Sequence, residues 1–265
     1  MISIIISFYK RLDFLELIFL SLDRQSYKDF EVIVAEDDNT PQTVDYINKA
    51  RFMHNYIIKH VSQEDKGFRK TRILNAAIRN ANGEQLVFID GDCIVHRHFL
   101  KEYSKAITEK YFCYGRRVFC SLKHTDIILN SRSVRKCNVF YALIFGGSSI
   151  GAGFYFPFKM SRDKQHRRIL GCNWGIMKKN ILAVNGFDED YKRAGIGEDF
   201  DIDWRLKKYG LKVRTMKGRA IVFHLYHKPN YVASDTEYVE KLMAEKKMIG
   251  NSFCINGIFK NLYQN

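Results

Sequence analysis

The 265-residue sequence has only three prolines and a modest 17 glycines, which excludes collagen-like and low-complexity chains. Its six cysteines lack CxxC spacing, and its N-terminus lacks the basic leader and long apolar core of a signal peptide. We therefore expect a cytoplasmic protein whose cysteines are free thiols. Hydrophobic residues make up 46% of the chain, which is enough for a sizeable core.

Acidic residues are scarce relative to basic ones: 29 Asp and Glu stand against 43 Lys and Arg, for a net charge of +14. Residues 101–170 hold 14 of the basic residues and four of the acidic ones, a difference of +10. Such a concentration indicates an anionic partner, which could be a nucleic acid, a phosphate-bearing acceptor or an anionic membrane leaflet. A solvated surface is the alternative explanation.

Charge is absent from the 22 residues Cys137–Phe158. This length would suffice to cross a bilayer, but the centre of the run is rich in glycine and Pro157 lies near its end. We expect a loop that lines a pocket or touches the membrane surface. The membrane contacts predicted beside it are Arg116, Arg117, Arg162, Lys164, Arg167 and Arg168, together with the aromatic residues Phe154, Tyr155, Phe156 and Phe158.

The first ninety residues alternate short apolar runs with amphipathic helical patterns. This order predicts an α/β fold with a doubly wound, mostly parallel sheet, in which ligands bind beyond the carboxyl ends of the strands. The predicted strands are Ile2–Ile6, Phe30–Ala35, Tyr56–Val61 and Leu86–Ile89, and the predicted helices are Phe14–Leu22, Thr43–Arg51 and Ile73–Ala81.

Two carboxylates, Asp90 and Asp92, directly follow the predicted strand Leu86–Ile89. At that position they can hold a hard divalent cation and the ribose of a nucleotide. Other Asp-x-Asp patterns occur in the chain, but only this one ends an apolar strand of the α/β half. A strand-terminating turn is the alternative.

Asp37 closes the second strand within the cluster Glu36–Asn39. Its carboxylate could accept a hydrogen bond from a nucleobase N–H, and an Asx turn is the alternative. His224 follows a short apolar strand, Ala220–Phe223, and could complete the coordination of a cation. An imidazole ligand would favour Mn²⁺ over Mg²⁺, although a lone histidine is more often structural.

Glu198 and Asp199 precede a predicted helix at Phe200–Tyr209. The helix dipole stabilises carboxylates at this end as anions. An ionised Asp199 in a cleft can serve as general base toward a sugar hydroxyl. Simple capping of the helix is the alternative.

The order of these clusters resembles that of inverting family 2 glycosyltransferases of the GT-A fold, over roughly residues 1–227. Ile4–Arg11 is similar to the family's strand and TYNR start, and Ser21–Val34 to its SLxxQxYxxFEIIVVDDGS stretch. Asp65–Asn75 looks like the donor-site segment, and Phe88–Ile94 closely matches the metal motif.

The second half resembles the region that β-1,4-galactosyltransferases share with bacterial chondroitin polymerases. Asn185–Glu189 and Gly195–Asp201 are similar to NGFDExFxGWGxED, with Ile196 in place of the usual aromatic residue. Cys172-Asn173-Trp174 matches the strand before that motif.

The resemblance implies one GT-A domain at 1–227, followed by a helical tail at 228–265. Within the domain it implies a nucleotide-sugar half at 1–99, a basic and apolar insertion at 100–170 and a smaller acceptor half at 171–227. The implied reaction is transfer of a hexose or N-acetylhexosamine from a UDP-sugar to a glycan hydroxyl with inversion. Bacterial surface polysaccharide or lipopolysaccharide assembly, with a glycan or lipid-linked acceptor at the inner face of the membrane, is the implied setting.

The resemblance also assigns residue roles. Asp199 is the general base, and Glu198 and Trp174 bind the acceptor, with Glu198 part of the catalytic site. Asp92 and His224 hold Mn²⁺ or Mg²⁺, with His227 as the fallback ligand. The implied donor-binding residues are Ser7, Tyr9, Arg11, Asp37, Arg72, Asp90 and Asp92.

Two other classes of protein remain open from the residues. A nucleotidyltransferase would want a glycine-rich, lysine-bearing phosphate loop near the first strand, and Ser7–Lys10 contains no glycine. A basic nucleic-acid-binding protein would fit the charge and the 15 Tyr and 20 Phe residues. No RNP, zinc or helix-turn-helix pattern supports it, so nucleic acid is not an expected partner.

Overall fold

The computed structural model describes residues 1–158, 162–163, 168–195, 197–228 and 233–260. Strands and short helices alternate along most of this part of the chain. The strands are β1 Ile2–Phe8, β2 Phe30–Glu36, β3 Ile57–Ser62, β4 Gln85–Asp90, β5 Cys93–Val95, β6 Tyr111–Tyr114, β7 Arg116–Phe119, β8 Arg162–Asp163, β9 Trp174–Met177, β10 Lys212–Thr215 and β11 Ile221–His224. The α-helices are α1 Leu12–Asp23, α2 Pro41–Met53, α3 Lys70–Asn80, α4 Phe99–Ala106, α5 Leu122–Ser131, α6 Val139–Ile144, α7 Lys178–Ala183, α8 Gly197–Lys208 and α9 Ala233–Ile249.

Two sheets organise the described residues. The larger has eight strands in the order β3-β2-β1-β4-β9-β6-β10-β8, and the smaller has the order β5-β11-β7. Strands β1 to β4 are parallel, as the first ninety residues predict, and the predicted strands and helices of that half are confirmed. Their carboxyl ends therefore meet at one edge of the sheet, where Ser7 stands opposite Asp90 and Phe8 opposite Glu36.

The apolar run of β1 is uninterrupted because helices cover both faces of the sheet. Side chains alternate across a strand, so Ile4 and Ile6 enter one hydrophobic core and Ile5 enters the other. None of the three is exposed to solvent. Burial on both faces is worth about 1.5–3 kcal/mol for each such side chain, and it holds the strand ends in place for the site.

Residues 100–170 are more regular than expected and contribute strands to both sheets. Strand β6 lies inside the main sheet, antiparallel to β9 on one side and parallel to β10 on the other. Strand β7 pairs with β11 in the small sheet. These strands are too short to recognise from periodicity alone, and the predicted boundaries of the insertion stay predictions.

The uncharged run 137–158 forms α6, a short 3₁₀ helix at Ile150–Ala152 and connecting segments. No helix in the described part of the chain is long and apolar enough to cross a membrane. Several large apolar side chains of this run are instead exposed on the surface. They are Phe140, Leu143, Ile144, Phe154, Phe156 and Phe158, which we call the aromatic patch.

The last described residues contain helix α9, and residues 250–260 then return to the core. Asn185 anchors this return, because its Nδ2 donates to Cys254 O at 2.7 Å and its Oδ1 accepts from Phe259 N–H at 2.7 Å. Ile258 packs into the core beside α3. The six cysteines are free thiols, which confirms that prediction.

Candidate active site

Asp92 is positioned by a tight turn after β4. Gly91 occupies this turn because a Cβ there would lie 2.9 Å from Ser7 O. The turn leads into β5, whose residue Cys93 pairs with His224 of β11. Leu225 N–H then donates to Asp92 O at 2.9 Å. Pairing of β5 with β11 in the small sheet thus places His224 and the residues after it beside the carboxyl end of β4.

Three side chains predicted as metal ligands meet at this point. Asp92 Oδ2 lies 2.9 Å from His227 Nε2 and 3.3 Å from His224 Nε2. Their ligand atoms all fall within 4.8 Å of one another. One carboxylate and two imidazoles form a mixed oxygen and nitrogen set that suits Mn²⁺. His227, predicted as the fallback ligand, lies closer to Asp92 than His224 does.

The protonation of this cluster follows from its contacts. His227 Nδ1–H donates to Lys228 O at 2.9 Å, which directs Nε2 toward Asp92. The hydrogen bond with Asp92 raises the pKa of His227, whereas burial lowers the pKa of His224. Burial opposes ionisation of Asp92, but the hydrogen bond from His227 and the charge of His224 bring its pKa down to about 2. A divalent cation could replace the proton that His227 shares with this carboxylate.

Lys70, the first residue of α3, connects Asp90 at the end of β4 with Glu198 in α8. Its Nζ lies 3.0 Å from Asp90 Oδ1 and 3.3 Å from Glu198 Oε1. Burial lowers the pKa of Lys70, but the carboxylates Asp90, Glu198 and Asp199 outweigh it and raise the pKa above its usual range. The sequence analysis did not single out Lys70, because a helix start cannot be placed to within one residue from the pattern.

Glu198 and Asp199 are buried in the first turn of α8. Asp199 Oδ2 accepts a hydrogen bond from Gly171 N–H at 2.7 Å. Glycine is required at 171, since a Cβ would lie 2.4 Å from Asp199 Oδ1. Burial and the nearby Glu198 charge raise the pKa of Asp199 to about 8, and burial also raises the pKa of Glu198. A carboxyl group with this pKa is suited to accept a proton near neutral pH.

Asp37 lies at the end of β2 and is almost completely buried. Its Oδ1 accepts from Gln63 Nε2 at 2.6 Å, and its Oδ2 accepts from Arg69 N–H at 2.7 Å. These bonds orient the carboxylate, and each oxygen keeps a further lone pair for a ligand N–H. The nucleobase contact assigned to Asp37 therefore remains a prediction.

The residues after β1 form a second polar group at the same edge. Tyr9 OH donates to Asp65 Oδ2 at 3.0 Å, and Lys10 Nζ lies 2.9 Å from the same oxygen. Arg11 makes two hydrogen bonds to Asp13, of 2.9 and 2.7 Å. Asp13 therefore orients the guanidinium of Arg11, whose remaining N–H groups could donate to a phosphate.

The structure bears differently on the roles predicted for Arg72 and Trp174. Arg72 is exposed on α3, two residues beyond Lys70, and its role at the diphosphate stays a prediction. Trp174 has no exposed surface, because its ring stacks on Phe88 at 4.4 Å and meets Phe187 edge-on. The prediction that Trp174 stacks on an acceptor sugar is wrong, since both ring faces belong to the core. Ile196 lies outside the described residues.

Comparison with known proteins identifies the family. A profile described as glycosyl transferase family 2 matches residues 3–183, and one described as the N-terminal domain of galactosyltransferase matches residues 158–228. The chain belongs to glycosyl transferase family 2. It is 27% identical over 233 residues to validoxylamine A glucosyltransferase of Streptomyces hygroscopicus subsp. jinggangensis. That alignment covers 82% of this chain and 54% of the relative, so the chain spans about half of that protein's length.

Solved structures confirm the GT-A fold. The structure of S. aureus TarS residues 1–349 in complex with UDP matches with a TM-score of 0.61 at 17% identity, covering 92% of this chain and 64% of that one. The mannosyltransferase PcManGT from Pyrobaculum calidifontis, in complex with GDP-Man and Mn²⁺, also matches with a TM-score of 0.61 at 17% identity. It covers 94% of this chain and 64% of that chain. None of these comparisons supports a nucleotidyltransferase or a nucleic-acid-binding protein.

Proposed function

We propose that this protein transfers a hexose or N-acetylhexosamine from a UDP-sugar to a glycan hydroxyl, with inversion and with a divalent cation. The observation that carries the proposal is the joint placement of two groups at one sheet edge. One is the ligand set Asp92, His224 and His227, and the other is the buried carboxyl of Asp199 with its raised pKa. A cation in the ligand set could stabilise a departing diphosphate, and the Asp199 carboxyl could accept the proton of an attacking hydroxyl.

The donor would lie across the carboxyl ends of β1, β2 and β4. Asp37 would meet the base, while Asp90 would meet the ribose or help to hold the ion. A cation held by Asp92, His224 and His227 would supply Lewis-acid stabilisation of the diphosphate. Ser7, Tyr9, Arg11 and Arg72 complete the proposed donor contacts.

The acceptor would approach Asp199. Its hydroxyl oxygen forms the new bond to the anomeric carbon as the bond from that carbon to the diphosphate oxygen breaks. The hydroxyl proton passes to the ionised Asp199 carboxylate, and one displacement inverts the anomeric centre. Lys70 favours the ionised form of Asp199, since its charge lowers the pKa of that carboxyl against burial and the Glu198 charge.

UDP release from a panel of UDP-sugars, measured with and without Mn²⁺, tests this proposal. We expect turnover with at least one hexose or N-acetylhexosamine donor, and loss of turnover with EDTA. Asp199→Asn should abolish transfer while UDP binding by calorimetry stays nearly intact, because the base acts on the attacking hydroxyl. Equal losses of donor affinity and rate would remove Asp199 from this role.

We further propose that the protein binds the inner face of the membrane through the aromatic patch, where a lipid-linked glycan acceptor would be presented in polysaccharide or lipopolysaccharide assembly. Phe158 is 96% exposed, and Phe140 and Leu143 are each 67% exposed. A cation lies beside the segment that carries the patch, since Lys123 Nζ is 5.5 Å from the ring centroid of Phe145, the residue after Ile144. An anionic leaflet suits this combination of exposed aromatic groups and positive charge.

The uncharged run that carries the patch also reaches a neighbour of the proposed metal site. Ser148, within the uncharged run, accepts a hydrogen bond of 3.1 Å from Phe119 N–H. The ring of Phe119 is 5.4 Å from the ring of His224. A membrane bound at the patch would therefore hold a lipid-linked acceptor close to the transferred sugar.

The basic contacts predicted from the sequence need revision. Arg117 is half-buried and donates to Cys172 Sγ at 3.2 Å, so it points inward. The guanidinium of Arg168 lies 4.5 Å over the ring of Phe200, next to α9. Lys164 and Arg167 lie outside the described residues.

Co-sedimentation with liposomes tests the membrane proposal. Phe158→Glu should reduce pelleting with anionic vesicles, because it places a negative charge at the leaflet. Phe52→Glu is the matched control, since Phe52 is 93% exposed on α2. Equal pelleting of both variants and the unmodified protein, or no pelleting at low salt, would contradict the proposal.

A further inference from the structure

A cavity of about 460 Å³ lies between α8 and α9. Phe200 of α8 and Arg168 form one side of it. The other side is α9, through residues that include Val239, Met243 and Lys247. None of the roles assigned above uses this cavity.

The cavity begins within one helical turn of the proposed base. Phe200 directly follows Asp199, and the segment after Arg168 runs along α8. In that segment Ile169 N–H donates to Asp203 Oδ1 at 3.4 Å and Gly171 N–H donates to Asp199. The segment that holds the base therefore begins at Arg168, which lines the cavity.

The wall supplied by α9 is firmly attached to the domain. Lys246 Nζ lies 2.8 Å from Asp188 Oδ2 and also pairs with Asp190. Val239 packs directly against Gly197 at the start of α8. Both family matches end at or before residue 228, so α9 lies beyond the residues that they match.

The chemistry of the walls indicates an acidic sugar. Phe200 and Met243 offer apolar surface to the C–H face of a sugar ring, and Glu240 can accept hydrogen bonds from its hydroxyls. Arg168 and Lys247 add two positive charges against the single negative charge of Glu240. From Val239 to Lys247 the wall extends over about 12 Å, at about 1.5 Å per residue, which is longer than one sugar ring.

We propose that this cavity binds a phosphate- or carboxylate-bearing sugar of the acceptor, and so selects acidic glycans. The inference rests on the proposed glycosyl transfer only in calling the ligand an acceptor. The bound sugar would extend along α9, with its reacting end toward Asp199 and its anionic group toward Arg168 and Lys247.

Methyl-labelled methionine NMR of the full chain provides the test. Met243 lines the cavity, whereas Met248 is 81% exposed and serves as an internal control on the same helix. Glucose 6-phosphate, glucuronic acid and glucose are titrated in turn. We expect the Met243 signal to move with one or both acidic probes, while the Met248 signal stays fixed. The responding acid identifies phosphate or carboxylate as the anionic group.

Two variants make the test specific to charge. Lys247→Gln should weaken binding of the acidic probe about tenfold, which is the effect of losing one charge-assisted contact of about 1.4 kcal/mol. Lys241→Gln, at an exposed position of α9, should not change it. No Met243 response, or an equal response to glucose, would overturn the inference.

UDP binding with Mn²⁺, measured on the same protein, separates the two proposals. If UDP binds but Met243 does not respond, the cavity inference fails and the proposed function stands. If Met243 responds to an acidic probe without UDP binding, the site for acidic sugars stands and the proposed function fails.

Discussion

Replacing Lys70 with methionine would remove the cation between Asp90 and Glu198 while keeping a side chain of similar length. At separations of 3.0 and 3.3 Å, each attraction is worth about 5 kcal/mol gross for an effective dielectric constant of about 20. Desolvation of the ammonium offsets much of this, so breaking such a buried cluster costs about 3–5 kcal/mol net. For a chain of 265 residues, with an entropy of unfolding of about 0.55 kcal/mol/K, the melting temperature should fall by about 5–9 °C.

The loss of stability in Lys70→Met should depend on pH, because Lys70 stabilises ionised carboxylates. Without it the pKa of Glu198 and the pKa of Asp199 both rise, and these groups protonate instead of remaining as unpaired charges. The destabilisation should therefore be smaller at about pH 5 than at about pH 8. The rising limb of transfer rate against pH should move to higher pH, since more alkaline solution is then needed to ionise the base.

Thermal unfolding across this pH range and a pH profile of transfer are the assays. Lys70→Arg is the control, since it retains the positive charge and should lose less stability. If Lys70→Met and the unmodified protein have the same melting temperature and the same pH profile, Lys70 does not connect Asp90 and Glu198 as described.

Asp92→Asn should lower donor turnover at least about a hundredfold, at about 3 kcal/mol for a lost charge-stabilising group; near-normal, EDTA-sensitive transfer by this variant would refute the metal assignment. His227→Ala should weaken Mn²⁺ binding by calorimetry as strongly as His224→Ala, because both imidazoles meet the same carboxylate oxygen; a deficit in only one variant would assign the ligand to that residue. Asp199→Asn should gain stability over the unmodified protein as pH rises. The pKa of Asp199 is about 8 in the folded protein and about 4 in the unfolded chain. The stability from its protonated form is therefore complete below about pH 4 and is lost as pH rises from about 4 through about 8. A difference in melting temperature that stays constant with pH would contradict this burial effect.

The first half of the fold could be derived from the sequence because its signals are local. An unbroken apolar run such as Ile2–Ile6 requires cover on both faces, and helical spacing such as that of Phe14 and Ile18 indicates what provides it. The position of Asp90 and Asp92 after such a strand was equally readable. Short strands such as β6 and β9 carry no clear periodicity, and their place in the sheet depends on partners distant in sequence.

The sequence by itself determined the order of elements, the carboxylates at strand ends and the family, since each is written in residue types at fixed spacing. Tertiary structure alone decided which side chains face one another. It placed His227 beside Asp92, inserted Lys70 between Asp90 and Glu198, and buried Trp174 in the core. These outcomes depend on the register between β5 and β11 and on packing between elements that lie far apart in sequence. No local pattern encodes such distances, because pairing and burial are properties of the assembled chain.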